Sequence, residues 1–276
     1  MTDAISLDRL VETALAAGRV ILDVRDGAMA VERKSDDSPV TLADRAAEQL
    51  ILRELETIAP GLPVVAEEAV AAGRIPKTEA DFILVDPLDG TKEFVKGGRD
   101  FTVNIGVIVQ GEPVIGVVYA PASGRLFAGR KGAGAWQAEV DCRAQSAVKT
   151  TSPIAVRPAP AAGFAAVASK SHRTPETDAF LERYKLSELV SAGSSLKFCL
   201  LAAGEADLYP RLGRTMEWDT AAGDAVLRAA GGRTVTLDGA RLSYGKRNQA
   251  EDADFANPWF VALGQAPLID AEGRVL

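Results

Sequence analysis

Two aspartates follow directly after a short apolar run, and this arrangement restricts the fold more than any other stretch of the chain. Residues 82–85 have the length and composition of a buried strand. Asp86 and Asp89 come next, with Pro87 between them and Gly90 after them. Proline fixes its φ angle and removes a backbone donor, and glycine permits a tight turn. The sequence therefore predicts a strand that ends in a turn with two carboxylates at its carboxyl end.

Carboxylates three residues apart on such a turn can converge, and converging carboxylates repel each other unless a cation lies between them. Hard divalent cations, Mg²⁺ above all, prefer oxygen ligands. The turn is therefore a candidate metal site. A strand-ending turn with two solvated aspartates fits the same residues, so the motif alone leaves both interpretations open.

The bulk properties exclude several classes of protein. The 276 residues suffice for one large domain or two packed halves. The 31 Lys and Arg residues against 38 Asp and Glu residues give a net charge of −7, which argues against polymeric nucleic acid or an anionic membrane as main partner. Cys142 and Cys199 form neither a zinc-binding spacing nor a disulfide framework, and no signal peptide or membrane-spanning apolar run is seen. We expect a cytoplasmic protein, with loose association with the inner membrane left open.

Helical periodicity and then strand patterns fill the first half of the chain. An apolar stripe predicts a helix over residues 5–25, with Asp3 or Ser6 as its cap, and Thr41 begins a second helix that ends before Pro60. Strands are predicted at residues 63–66, 82–85, 101–109 and 113–119, with further short strands to about residue 137. The first half is thus expected to be two helices followed by a mainly antiparallel sheet. A glycine-rich run within it, residues 129–134, is interpreted as a β turn.

The pattern changes after residues 141–162, which are rich in Ala, Pro, Ser and Thr. We therefore expect two halves, 1–145 and 146–276, packed together as one catalytic unit. Alternating strands and helices suggest an α/β second half. The predicted strands are 164–168, 189–190, 206–209 and 259–262, and the predicted helices are 176–184, 195–203 and 219–230.

Two further acidic residues lie at the ends of predicted elements. Glu67 follows the strand 63–66, and Asp219 begins the helix 219–230. A carboxylate at a helix start is most simply an N-cap, although it can also ligate a metal where the helix dipole adds positive potential. Each residue alone fits a solvated carboxylate, and it is their shared placement with Asp86 and Asp89 that favours a metal site.

These motifs, in their order, resemble the inositol monophosphatase superfamily of metal-dependent phosphatases. The matching stretches are residues 86–94, the pair Glu67-Glu68, Thr41 with Asp44, and residues 218–223, and the resemblance extends from about residue 36 to 232. Within the superfamily, residues 90–94, 171–173 and 193–198 resemble the 3′(2′),5′-bisphosphate nucleotidases of the CysQ type. The expected fold is the layered α-β-α-β-α sugar-phosphatase fold, of the α+β or α/β class.

The resemblance implies a metal site and a catalytic pair. The metal site would hold two or three Mg²⁺ ions, and its ligands would be Glu67, Asp86, Asp89, the Leu88 carbonyl and Asp219. Asp44 and Thr91 would activate the attacking water. Such a cluster lowers the pKa of bound water and neutralises charge on the leaving oxygen. Inhibition by lithium is also implied.

A second phosphate site is expected near the predicted helix 195–203. Ser194 and Lys197 follow Gly193 there, and their hydroxyl, amide and ammonium groups would bind a phosphate. The resemblance adds Arg211 to this 5′-phosphate site. The same Ser and Lys also fit the Ser-x-x-Lys of penicillin-binding proteins, but the companion motifs of those enzymes are absent from the sequence.

The resemblance places five more residues against the substrate. Gly90, Thr91 and Asp219 would face the phosphate that is cleaved, and Ser171 and His172 would approach the nucleotide. For His172, the single histidine of the chain, an ordinary surface loop is the alternative.

The implied activity is Mg²⁺-dependent hydrolysis of the 3′-phosphate of adenosine 3′,5′-bisphosphate to AMP and phosphate. The sulfated form, 3′-phosphoadenosine 5′-phosphosulfate, is a further candidate substrate. Alternatives are an inositol-monophosphatase-like enzyme with a single-phosphate substrate, or a non-catalytic binding protein of the same fold. We expect a monomer or a homodimer.

Overall fold

A computed structural model describes residues 5–27, 31–33, 39–141, 143, 148–169 and 173–276. Its helices are α1 (Leu7–Asp26), α2 (Leu42–Ile58), α3 (Glu67–Ala71), α4 (Thr91–Val95), α5 (Pro175–Leu181), α6 (Leu196–Ala202) and α7 (Ala221–Ala229), with a 3-10 turn at Glu217–Asp219. Its strands are β1 (Val31–Arg33), β2 (Pro39–Thr41), β3 (Val64–Ala66), β4 (Asp81–Asp89), β5 (Thr102–Val109), β6 (Glu112–Ala120), β7 (Arg125–Arg130), β8 (Gly134–Glu139), β9 (Ser152–Ile154), β10 (Phe164–Ser169), β11 (Leu186–Ala192), β12 (Leu208–Arg211), β13 (Arg233–Thr236) and β14 (Phe260–Leu263).

The long strands form two sheets. Seven strands follow the order β3-β4-β5-β6-β7-β8-β9, in which only β3 and β4 are parallel among the described pairs. This confirms the mainly antiparallel sheet predicted for the first half. The second sheet has the order β11-β10-β12-β14-β13, with parallel pairs around β10 and antiparallel pairs around β14. β9 lies beyond residue 145 in the chain yet pairs with β8, so the first sheet takes one strand from the sequence that follows the predicted division.

Three hydrophobic cores separate five layers. The first core lies between the helices α1 and α2 and one face of the seven-stranded sheet, which carries Ile83. The second joins the opposite face, which carries Phe82, to α6, α7 and the Val167 face of the five-stranded sheet. The third joins the other face of that sheet, at Ala166, to Phe180 of α5. The α-β-α-β-α order implied by the family resemblance is thereby confirmed.

The apolar stripes of the first two helices explain why they cover the sheet. Leu10, Ala14 and Ile21 of α1 are fully buried, as the helical periodicity predicts. The Ser6 side chain accepts a hydrogen bond from the Arg9 backbone nitrogen at 3.3 Å and so begins α1, and Gly27 follows its last residue. Among the described residues, none of the helices combines the length and apolar character needed to cross a membrane.

A row of glycines lets α7 lie directly on the seven-stranded sheet. Gly106, Gly116 and Gly129 are neighbours across β5, β6 and β7. A β-carbon at Gly116 would lie 2.1 Å from the Ala222 carbonyl oxygen, and one at Gly106 would lie 2.9 Å from the Ala222 nitrogen. Because no side chain stands between them, the sheet and the helix meet backbone to backbone. This close contact also positions the 3-10 turn before α7, which lies against β4 and β5.

Several elements of the second half differ from what the sequence predicts. α5 ends at Leu181 and not at residue 184, because the following residues form a tighter turn in which the Tyr184 nitrogen bonds to the Leu181 carbonyl at 3.0 Å. β12 begins two residues later than predicted, since the Ala206 nitrogen is still bonded to the Leu200 carbonyl of α6. The edge strand β13 was not predicted, although its four residues complete the second sheet.

Candidate active site

The acidic motif continues β4 and does not form the turn that the sequence predicts. Asp86 pairs with Asn104 and Asp89 pairs with Thr102, so four residues of β4 face three of β5 and the ladder is irregular between them. The prediction of a strand ending before Asp86 was therefore wrong. Pro87 is tolerated there because the irregularity removes the need for its backbone donor. The Asp86 carboxylate replaces part of the lost pairing by accepting a hydrogen bond from the Leu88 nitrogen at 3.0 Å.

The end of the motif turns through Gly90 into α4. Gly90 has a φ of 91°, in the left-handed region, and a β-carbon there would lie 2.8 Å from the Asp100 carbonyl oxygen. Only glycine meets both requirements at low cost. Thr91 is the first residue of α4, and its hydroxyl donates to the Leu88 carbonyl at 3.1 Å. The predicted ligand carbonyl and the predicted catalytic hydroxyl are therefore in contact.

Asp86 lies at the centre of a group of interacting carboxylates. It is 1% exposed, and burial raises its pKa well above the ordinary value of 3.8. The negative charges of Glu67, Asp89, Asp219 and Asp44 raise the pKa of Asp86 further, in that order. The other four acidic residues predicted from the sequence thus all act electrostatically on Asp86.

Asp219 belongs to this group, but it does not begin α7. It ends the 3-10 turn Glu217–Asp219, and Thr220 precedes the helix. The predicted helix start at Asp219, and with it the N-cap interpretation, was therefore wrong. Its carboxylate instead accepts a hydrogen bond from the Met216 nitrogen at 2.8 Å. Burial raises the pKa of Asp219, and the charges of Asp89 and Glu67 raise it further.

The chemistry of this donor set fits a divalent cation. Buried carboxylates that raise one another's pKa are stabilised in their charged form by a nearby cation, and Mg²⁺ prefers such oxygen ligands. Within the described ranges, no three His, Cys, Asp or Glu side chains are grouped in a ready coordination arrangement. Electrostatic repulsion acts over longer distances than coordination, so the two observations describe one group of carboxylates standing apart from each other.

The structure shows a further buried carboxylate, Glu48, for which the sequence predicted no role. It lies on α2 and is 4% exposed, and it accepts a hydrogen bond from the Glu68 nitrogen at 2.8 Å. Burial raises the pKa of Glu48 to about 7. Glu68 is the second residue of α3 and Glu67 is the first, so Glu48 fixes the start of the helix that carries a predicted metal ligand. The only sequence signal is a glutamate beside Ala47 on the apolar face of α2.

A cavity of about 230 Å³ opens beside the carboxylates. It brings together five residues predicted for the site, namely Asp89, Ser194, Lys197, Arg211 and Asp219. The sequence predicted no site role for its other lining residues, which are Ser169, Ser195, Phe198, Tyr209, Arg214, Thr215 and Thr220. We call this cavity the catalytic cleft. Ser171 and His172, which were predicted to approach the substrate, lie outside the described residues.

Three cationic residues line the catalytic cleft, Lys197, Arg211 and Arg214. Lys197 is 5% exposed, and its ammonium group donates to the Ser194 carbonyl and lies 5.2 Å from the centre of the Tyr209 ring. Burial lowers the pKa of Lys197 to about 8. Arg211 lies on β12, and its guanidinium donates to the Arg214 carbonyl at 2.9 Å. The cleft therefore combines the carboxylates of Asp89 and Asp219 with an ammonium group and two guanidinium groups.

A network of hydroxyl and amide groups holds the segment before α6 against β5. The Ser195 hydroxyl lies 2.5 Å from Asn104 Oδ1 and 2.9 Å from Thr102 Oγ1. Gly193 approaches closely as well, because a β-carbon there would lie 2.8 Å from Asp100 Cβ. The predicted residues Gly193 and Ser194 are thus positioned by partners on β5 and its preceding loop, which no local sequence pattern indicates.

Comparison with known proteins gives a consistent result. The profile described as the inositol monophosphatase family matches residues 6–264. The 3′(2′),5′-bisphosphate nucleotidase CysQ of Salmonella typhimurium is 43% identical over 92% of this chain and 98% of the relative. The protein of the same name from Escherichia coli K12 is 42% identical over the same shares. The crystal structure of CysQ from Bacteroides thetaiotaomicron matches with a TM-score of 0.71 and 34% identity, covering 94% of this chain and 96% of that one.

Proposed function

The chain belongs to the inositol monophosphatase family, and we propose that it hydrolyses the 3′-phosphate of adenosine 3′,5′-bisphosphate to AMP and phosphate. The CysQ nucleotidases, which are similar over nearly their whole length, support this activity. The observation that carries the choice of substrate is the catalytic cleft, where Lys197 and Arg211 lie beside the carboxylates Asp89 and Asp219. A substrate with two phosphates can be bound at the proposed metal site and by these cations at once, whereas a single phosphate cannot.

Members of this family generally depend on Mg²⁺. We propose that two or three ions bind to Glu67, Asp86, Asp89, the Leu88 carbonyl and Asp219. Bound Mg²⁺ would supply a water of lowered pKa and neutralise charge on the phosphate. The buried, mutually repelling carboxylates described above support this assignment, because a cation relieves their repulsion.

The chain's own residues would bind the substrate and move the proton. Thr91 donates its hydroxyl hydrogen to the Leu88 carbonyl, so its oxygen can accept a hydrogen bond from the attacking water. For the transfer, the Thr91 hydroxyl hydrogen would turn from the Leu88 carbonyl to Asp44, which is 1% exposed, so that Asp44 takes that hydrogen as Thr91 receives the proton of the water. The oxygen of the water then bonds to phosphorus as the bond to the 3′-oxygen breaks, and the 3′-oxygen takes a proton from solvent.

We propose separate contacts for the two phosphates and for the nucleotide. Lys197, Arg211 and Ser194 would bind the 5′-phosphate, with the Gly193 backbone close to it. The amides of Gly90 and Thr91, together with Asp219, would face the 3′-phosphate. His172 and Ser171 remain proposed nucleotide contacts.

We also propose a cytoplasmic location, action on 3′-phosphoadenosine 5′-phosphosulfate, inhibition by lithium, and a monomeric or homodimeric enzyme.

Asp89→Asn tests the proposed function. The variant keeps the size of the side chain but removes one negative charge from the site, so we expect phosphate release from adenosine 3′,5′-bisphosphate to fall by about 100-fold or more, with weaker Mg²⁺ binding. Asp81→Asn is the matched control, because Asp81 lies at the other end of the same strand. Unchanged turnover in Asp89→Asn would contradict the metal assignment. A clear preference of the unmodified enzyme for inositol 1-phosphate would contradict the substrate.

A further inference from the structure

A second cavity, of about 350 Å³, lies at the end of α7 that is remote from Asp219. Its walls come from the start of β6, the turn between β7 and β8, the last turns of α7, and β13. It shares no lining residue with the catalytic cleft, to which α7 is joined through Thr220. We call it the α7 cavity. Its volume falls within the range of small-molecule binding sites.

The charged lining of the α7 cavity is mostly positive. It includes Lys131, Arg228, Arg233 and Arg241 but only one carboxylate, Glu112. Glu112 is shared, because it forms ion pairs with both Lys131 and Arg241, the latter at 3.1 Å. Glu112 thus offsets one of these four positive charges, and the fully buried Asp224, which forms an ion pair with Arg228 at 2.9 Å, offsets a second, so that two remain in excess. The excess contrasts with the net charge of −7 of the whole chain.

Arg228 is held in a fixed orientation at this cavity. Its Nε donates to Asp224 Oδ1 at 3.0 Å, and its terminal nitrogen donates to the Leu242 carbonyl at 2.7 Å. Asp224 is fully buried and also accepts a hydrogen bond from the Tyr244 hydroxyl at 2.9 Å. A guanidinium group positioned in advance loses little entropy when it binds an anion. Arg228 is therefore preorganised to bind an anion, in contrast to an ordinary mobile surface arginine.

Thr234 adds a buried polar residue to the wall of the α7 cavity. It lines the cavity and is 1% exposed, and its hydroxyl oxygen has no hydrogen-bond partner among the described residues. A buried hydroxyl without a partner is costly, and such groups in folded proteins usually bond to another protein group or to ordered water. Beside it, Ala225, Ala229 and Val235 present apolar surface to the same cavity.

We propose that the α7 cavity binds a small phosphate ester. The phosphate would be bound by Arg228 and Arg233 with the flanking cations, and the organic part would pack on the alanine and valine side chains. This site is additional to the proposed 3′-phosphatase activity and does not depend on it. The ligand is defined by this chemistry: a dianionic group joined to a compact apolar body.

The proposal is tested by titrating phenyl phosphate into the metal-free, full-length protein and following backbone amide signals by NMR. Gly132, Gly232 and Thr234 report on the α7 cavity, while Ser194 and Ser195 report separately on the catalytic cleft. The cavity variant is Lys131→Gln with Arg241→Gln, whose side chains are 65% and 80% exposed, so that the replacements leave the hydrophobic core intact. The control variant is Arg9→Gln with Arg274→Gln, which removes two exposed cations elsewhere.

We expect saturable shifts at the three cavity amides and an affinity about tenfold weaker in the cavity variant, because two charged partners are lost. The control variant should bind like the unmodified protein. Inorganic phosphate should bind more weakly than phenyl phosphate, since it lacks the apolar body. Absence of saturable shifts at the cavity amides, or equal affinity in all three proteins, would overturn the site. Equal affinity for the two probes would overturn the assignment of an ester. Because binding is observed without turnover, none of these results depends on the enzymatic activity.

Discussion

The Ser194 hydroxyl donates a hydrogen bond to Asp89 Oδ2 at 2.6 Å, across 105 residues of sequence. The same oxygen accepts a second hydrogen bond, from the Ser195 nitrogen at 2.8 Å. A proposed metal ligand at the end of β4 is thus fixed by the segment that begins the proposed 5′-phosphate site. Ser194 has a φ of 58°, which is unfavourable for a residue with a side chain. The two hydrogen bonds offset that strain, and they connect the proposed metal site to the proposed 5′-phosphate site.

Replacing Ser194 by glycine and by alanine separates the hydroxyl from the backbone strain. Both variants lose the bond to Asp89, so we expect phosphate release to fall by roughly tenfold in each. Only Ser194→Ala keeps a β-carbon in the left-handed region, and it should be about 1 kcal/mol less stable than Ser194→Gly. Enzyme assays and urea denaturation measure the two effects. Equal activity to the unmodified enzyme in both variants would show that the hydroxyl does not orient Asp89.

The buried ammonium of Lys197 predicts a pH dependence. Because burial lowers its pKa to about 8, Lys197 is charged below that pH and neutral above it. We expect kcat/KM for adenosine 3′,5′-bisphosphate to fall by roughly tenfold as the pH rises through this value, since a charge-assisted hydrogen bond to the 5′-phosphate is lost. Lys197→Arg stays protonated and should remove the fall. The same fall in the arginine variant would assign the titration to another group.

The cluster of carboxylates around Asp86 predicts how the stability of the metal-free protein depends on pH. Asp86 and Asp219 have raised pKa values in the folded chain but titrate near 3.8 when unfolded, so the folded form binds more protons. Their contribution to stability is present below 3.8 and is lost as the pH rises through the raised values. Glu48, with a pKa raised to about 7, acts in the same direction.

We therefore expect the free energy of unfolding in EDTA to decrease between about pH 4 and pH 7. Saturating Mg²⁺ should restore it at the upper pH, because the ion binds only the folded form. Urea denaturation with and without Mg²⁺ measures both changes. Asp86→Asn removes one of the titrating groups and should flatten the metal-free profile. A metal-free stability that rises over this range would contradict the mutual repulsion of the carboxylates.

The sequence was most informative where function depends on neighbouring residues. The spacing of Asp86 and Asp89 already suggested a metal-binding motif, and the structure brings these residues together with Glu67 and Asp44. The layered fold followed from the family resemblance, because its motifs occur in order along most of the chain. The apolar faces of α1 and α2 were likewise predictable from the sequence, because helical periodicity of apolar residues indicates which side chains are buried.

The sequence was less informative where a residue depends on distant partners. Asp219 has the appearance of a helix cap, but its 3-10 turn is set by tertiary bonds. Glu217, two residues before it, accepts hydrogen bonds from the Gly245 and Lys246 nitrogens at 2.7 and 2.9 Å. The network from Ser195 to Asn104 spans 91 residues and has no local signature. Such contacts become visible only when the two sheets are packed.

The glycine row under α7 gives a prediction for the fold itself. Gly116→Ala would place a β-carbon 2.1 Å from the Ala222 carbonyl oxygen, and backbone on both sides leaves no flexible group to move. We expect a loss of about 3 kcal/mol or more in the free energy of unfolding, because overpacking forces α7 away from the sheet. Since α7 follows the turn that carries Asp219, activity should fall together with stability.

Gly213→Ala is the matched control for this substitution. Among the described residues, a β-carbon there has no neighbour closer than 3.8 Å apart from the adjacent residues, and its φ is not in the left-handed region. Its free energy of unfolding should stay within about 0.5 kcal/mol of the unmodified protein. Urea denaturation of both variants, with Mg²⁺ affinity measured under folding conditions, completes the comparison. If Gly116→Ala unfolded like Gly213→Ala and bound Mg²⁺ normally, the backbone contact between α7 and the sheet would not be what positions Asp219.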